Sequence, residues 1–139
     1  MQIWESITIG RASIIQVIYC HSCGKNLQLN RILIISAHPD DDILGCGGLL
    51  SKIRDAEKSV KVVFLAEGSS CRFPSNEISS NIVSSEIYNR NRCGKKALQY
   101  LGVNEFEFYN FPCGRLDTLP IIDINKIIEQ EITKFRPDT

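Results

Sequence analysis

The feature that most limits how this chain can fold is one apolar run and the way it ends. Ile32-Leu33-Ile34-Ile35-Ser36-Ala37 is continuous and rich in β-branched residues, the pattern of a strand buried on both faces of a parallel sheet. His38-Pro39-Asp40-Asp41-Asp42 stops it, because proline cannot donate to a sheet ladder and aspartate favours helix starts. A helix is expected over residues 43–58, with Leu44, Leu49, Leu50 and Ile53 as its buried stripe. Residues 60–66 read as a second strand and 83–101 as a second helix stopped by Gly102. Residues 105–109 alternate polar and apolar, as a strand near a sheet edge would. Residues 121–135 carry Ile122, Ile124, Ile127, Ile128 and Ile132 at helical spacing before Pro137. Strand and helix alternate three times, which implies an α/β, Rossmann-like three-layer fold around a mainly parallel sheet. The next strand is expected directly after Thr139, so the fold is expected to be incomplete at that end.

Composition sets bounds on partners and surroundings. With 43% hydrophobic residues the 139-residue chain can bury one domain's core. Lys+Arg and Asp+Glu both number 16, so no basic field argues for nucleic acid. Arg90 with Arg92 and Lys95 with Lys96 read as a solvated helix face. The start, Met1-Gln2-Ile3-Trp4-Glu5, lacks the basic region of a signal peptide, and the apolar stretch at 12–20 is too short to span a bilayer. A cytoplasmic setting is therefore expected, with the six cysteines (20, 23, 46, 71, 93 and 113) as thiols. Residues 1–30 differ from the rest and are read as an extension, with strand-like Ile14 to Tyr19 followed by a polar, turn-like Cys20 to Asn26.

Ligands bind open α/β sheets outside the carboxyl ends of the strands. Three polar clusters map there: His38 to Asp42, Glu67 to Arg72 and Cys113 to Asp117. The first is the richest. Three adjacent carboxylates at the mouth of a buried strand repel one another, and a divalent cation would relieve that. Histidine nitrogen and aspartate oxygen both suit zinc, and a further carboxylate can take a proton from water. Helix capping and complementing the helix dipole are the competing reading, and the residues alone leave both open.

Ala37-His38-Pro39-Asp40-Asp41-Asp42-Ile43-Leu44-Gly45-Cys46-Gly47-Gly48 resembles the hallmark segment of the LmbE/PIG-L deacetylases, usually written AHPDDE with a following glycine turn. Val62 to Gly68, Ala97 to Val103, Pro112 to Asp117 (similar to a "PDGRL" loop) and Arg136-Pro137-Asp138 resemble later segments of the family in the same order. The resemblance implies a zinc-dependent hydrolase that removes acetyl from a small acetamido-sugar substrate of N-acetylglucosamine type. By motif position, His38 and Asp41 would be zinc ligands, Asp40 the general base and Arg72 a substrate contact. Asp42 stands where the family usually has Glu, with a mild effect expected. The family's third ligand is a later histidine. This chain has two histidines, His21 and His38, so that ligand is expected beyond Thr139 and the chain is expected to be a truncated member.

Other signals carry less. Gly45-Cys46-Gly47-Gly48 is not a dinucleotide fingerprint, and the acidic residues before it would repel a pyrophosphate. Cys20-His21-Ser22-Cys23 lacks the second pair a zinc knuckle needs. Ser69-Ser70 lacks a second histidine in the folded part to act as base. The alternative function is a non-catalytic Rossmann-like module binding a sugar or nucleotide sugar. An open sheet edge beside the third helix is expected to favour homo-oligomers.

Overall fold

The computed structural model describes residues 30–139, so the readings on residues 1–29, including Cys20 to Cys23, lie outside the described residues. The elements are β1 (Arg31–Ser36), α1 (Asp41–Ile53), β2 (Ser59–Ala66), α2 (Asn81–Tyr100), β3 (Glu105–Phe111) and α3 (Ile121–Phe135). Short 3-10 turns stand at Ser70–Arg72 and Leu116–Thr118. The strands form a parallel sheet in the order β1-β2-β3, with Ile34 opposite Val62 and Phe64 opposite Phe108.

β2 is central, and Val62 to Ala66 are all buried. On one face Ile32, Ile34, Val62 and Phe64 pack with Leu50 of α1 and Leu98 of α2. On the other, Val63 and Leu65 pack with Ile124 of α3, joined by half-buried Leu33 and Ile35. Helices therefore cover both faces of the sheet, the three-layer α/β arrangement read from the sequence. Burial of β1 is less complete than its apolar run implies, because its far edge has only a short neighbour. That neighbour is the tail: Thr139 donates to the carbonyl of Arg31 at 3.2 Å and accepts from Leu33 N–H at 2.8 Å. Thr139 thus sits opposite Ile32 in parallel fashion, and the Asp138 carboxylate clips it there by accepting the Asn30 and Arg31 amides. The chain runs from β1 through β2 to β3 on one side and returns on the other. The end of β1 is the place where direction reverses, which is where doubly wound sheets bind ligands.

Two helices depart from the sequence reading. α1 ends at Ile53 rather than residue 58, because Arg54 to Lys58 offer no large apolar side chain to the sheet. Ala56 N–H closes a turn on Ile53 instead. Leu44 is 79% exposed, since the inward stripe is Cys46, Leu50 and Ile53 and Leu44 is rotated away from it. In α3 the inward positions are Ile124, Ile127, Ile128, Glu131 and Phe135, which leaves Ile122 and Ile132 exposed. α2 follows expectation: Ser80 Oγ accepts Val83 N–H at 3.3 Å, and Gly102, at φ 78°, closes the far end.

Glu131 is the buried charge of the α3 face. Its carboxylate accepts from Lys61 Nζ of β2 at 2.5 Å and Tyr109 hydroxyl of β3 at 2.7 Å. Burial opposes its ionisation, but these donors outweigh it and hold its pKa below the ordinary glutamate value. The same burial and bond push the Tyr109 hydroxyl up to about 12.

Candidate active site

β1 delivers the backbone to Ala37, whose carbonyl accepts Ala66 N–H from β2, and α1 begins four residues later. Between them the His38 carbonyl accepts the amides of Asp40 and Asp41, a tight turn that faces the three carboxylates in different directions. Pro39 is buried beneath α2, where Gly94 leaves room for it: a Cβ there would stand 3.0 Å from Pro39 Cβ.

Asp40 occupies the N-cap position but makes no side-chain cap hydrogen bond. It is half exposed, and its Oδ2 accepts Arg90 Nη2 of α2 at 2.7 Å. Asp41 turns inward. Its Oδ2 accepts His38 N–H at 3.0 Å and stands 3.4 Å from His38 Nδ1. Asp42 is fully buried, and among the described residues neither carboxylate oxygen has a hydrogen-bond partner. Burial, with smaller contributions from the charges of Asp40 and Asp41, pushes its carboxyl up to about 6 against the partial relief of amides at the helix start. Capping alone does not account for this group: the capping residue does not cap, and among the described residues only Asp40 of the three acids pairs with an arginine.

His38 and Asp41 have the spacing of two ligands of one ion. Two ligands at about 2.0–2.2 Å from a tetrahedral ion stand about 3.4 Å apart. That is the separation of His38 Nδ1 and Asp41 Oδ2. Asp42 beside them, without a hydrogen-bond partner among the described residues, adds to the negative field a cation needs. Among the described residues no group of three or more His, Cys, Asp or Glu side chains is arranged to hold a metal, so they offer a pair of ligands rather than a closed set.

Arg72 lies on the exposed 3-10 turn after β2, and its side chain makes no ion pair with the acidic cluster. The arginine that does reach the cluster is Arg90, which the sequence reading assigned to a solvated face. Its side chain is only 18% exposed. The signal for it was available: Val83, Ile87, Arg90, Gly94 and Leu98 recur every three or four residues, so a cation stands in the inward stripe of α2. The room for Arg90 comes from Gly68, at φ 74°, where an added Cβ would lie 2.6 Å from Arg90 Nε and 3.1 Å from His38 Cβ. Gly68→Ala is therefore expected to cost about 1–3 kcal/mol of stability and to displace Arg90 from Asp40. Urea unfolding measures the first and the arginine side-chain NMR signals the second.

Glu67 ties the second and third loops together. Its buried carboxylate accepts the Cys113 amide at 2.7 Å, the Ser69 amide at 2.5 Å, the Ser70 amide at 2.9 Å and the Ser70 hydroxyl. Burial would raise its pKa, but these donors overcome that and lower it. Cys113, thus held, places Sγ 3.5 Å from His38 Nε2 and 2.8 Å from Cys71 Sγ. Burial and the Cys71 contact push its thiol up to about 12.

Comparisons with known proteins agree with this layout. The family described as "PIG-L: GlcNAc-PI de-N-acetylase" matches residues 33–139. No curated protein matches. Among solved structures, N,N'-diacetylchitobiose deacetylase from Pyrococcus horikoshii is similar, with TM-score 0.64 and 23% identity over 80% of this chain and 39% of that one. A conserved protein from Thermus thermophilus gives TM-score 0.55 and 25% identity over 78% of this chain and 43% of that one. The 4-carboxy-2-hydroxymuconate hydratase of Pseudomonas putida gives TM-score 0.59 and 18% identity over 78% of this chain and 44% of that one. The chain thus spans about two fifths of the length of these structures, and the hydratase shows that the likeness carries fold rather than one chemistry. With the family matched over most of the chain and the sheet, loops and His38–Asp42 turn laid out as above, this chain belongs to the PIG-L (LmbE-like) family.

Proposed function

We propose that this chain forms the metal-holding and water-activating part of a zinc-dependent N-deacetylase acting on an N-acetylglucosamine-type substrate. The observation that supports the reading is the arrangement of side chains at the β1–α1 turn. His38 Nδ1 and Asp41 Oδ2 stand 3.4 Å apart, while Asp40 is held away from them by Arg90 at 2.7 Å. His38 and Asp41 would hold the ion, with a third ligand from outside residues 30–139. When bound, zinc supplies a Lewis acid for the acetyl carbonyl and lowers the pKa of water.

Asp40 has the geometry of a general base. Arg90 occupies Oδ2 and fixes the carboxylate plane, leaving Oδ1 to take the proton of the water that attacks the acetyl carbon. The same carboxyl then returns the proton to the departing sugar amine, so acetate and a free amine leave. Arg90 is a positioning residue in this scheme, and Arg72 on the exposed turn is a candidate contact for the sugar. The substrate class rests on the family description and on the Pyrococcus enzyme, which share the 2-acetamido sugar.

The test is acetate release by the zinc-loaded chain from N,N'-diacetylchitobiose and from N-acetylglucosaminyl-phosphatidylinositol. Release from either that stops on chelation supports the reading. Release that persists on chelation, or a folded chain that binds no zinc, contradicts it.

A further inference from the structure

Cys71 and Cys113 are 42 residues apart in sequence, yet their sulfurs stand 2.8 Å from each other. Both are free thiols, Cys71 exposed and Cys113 buried. One buried group sets this approach. Glu67 accepts the amides of Ser69 and Ser70, which open the turn carrying Cys71, and it accepts the amide of Cys113 itself. The next residue, Gly114, turns the third loop at φ 69°, a backbone conformation that favours glycine, and lies against Cys71. Two thiols already in contact, on loops pinned to a common anchor, need little backbone movement to be joined.

The geometry points to Cys71 and Cys113 as a reversible dithiol–disulfide site, formed by exchange with a small disulfide such as oxidised glutathione. Exposure orders the steps. The Cys71 thiolate attacks glutathione disulfide, forming a Cys71–glutathione mixed disulfide and releasing one glutathione thiolate, which takes up the proton Cys71 lost. Cys113 then attacks Cys71 Sγ, the second glutathione leaves and accepts the Cys113 proton. The two protein thiols are oxidised by two electrons, and one glutathione disulfide is reduced to two glutathiones. Closing the bond joins the second and third loops covalently and turns the Cys113 sulfur, now 3.5 Å from His38 Nε2, to Cys71.

The test is peptide mapping of the full chain after incubation with excess oxidised glutathione and a metal chelator, with remaining thiols alkylated. The expected product is a Cys71–Cys113 cross-link in most molecules that dithiothreitol reverses. Cys113→Ser should instead stall at glutathione on Cys71, and Cys71→Ser should leave Cys113 alkylatable. The proposal is overturned if the parent chain stalls as the Cys71 mixed disulfide, if both thiols remain alkylatable, or if either pairs instead with Cys20, Cys23, Cys46 or Cys93.

Discussion

Replacing Asp40 with Asn is expected to leave zinc binding intact and to lower the rate of acetate release by about 10²- to 10⁴-fold, the usual contribution of a positioned proton acceptor. The change is nearly isosteric and keeps an oxygen able to face Arg90 Nη2, so the turn and the helix start should persist. What is lost is the second oxygen's capacity to take a proton. Because Asp40 pairs with Arg90 rather than with His38 or Asp41, the effect should fall on kcat with zinc content and KM little changed. If zinc is lost together with activity, Asp40 is a ligand and the assignment of roles is wrong. Steady-state kinetics beside metal analysis of the same preparation separates the two.

The second large effect belongs to the fold. Glu131→Ala is expected to cost about 3–5 kcal/mol, because it strands the Lys61 ammonium against the sheet and leaves the Tyr109 hydroxyl without its acceptor. Total stabilities of about 5–15 kcal/mol make that enough to unfold a substantial fraction of a chain this size. The pH dependence has a fixed sign. The folded-state pKa of Glu131 lies below its unfolded value, so its contribution is present above the ordinary glutamate range and is lost as pH falls through the folded value. Urea unfolding of the parent should therefore weaken on acidification, and Glu131→Gln should flatten that part of the profile. A Lys61→Met, Glu131→Leu double variant that is no less stable than the parent would show the pair to be replaceable by apolar packing. Single Glu131→Ala would still be damaging.

The order of elements was legible from sequence because each apolar run carried the period of its own structure, and a Gly/Ser/Pro-bearing stretch at 67–80 and the proline after residue 38 fell between them. Side-chain direction within helices was less so. Leu44, Ile122 and Ile132 are apolar and near the right spacing, but the inward stripes are set by Leu50 in α1 and by Ile124 and Phe135 in α3. At the site, His38, Asp40 and Asp41 were legible because they are adjacent in sequence. Arg90 was not, because its partner Asp40 is 50 residues away and it was read with Arg92 as one charged face. Cys71 and Cys113 were read only as thiols, not as a pair, for the same reason: they are 42 residues apart in sequence. Contacts fixed by tertiary packing leave little mark on local pattern, except where, as in the stripe of α2, a charge stands where the period calls for an apolar side chain.

Zinc titration of the parent chain beside Asp41→Ala, with circular dichroism to verify folding, tests most directly the proposed holding of zinc by His38 and Asp41. The expected result is near-stoichiometric zinc in the parent and its loss in the folded variant. A folded parent that takes up no zinc, or an Asp41→Ala chain that binds it equally well, would contradict the assignment.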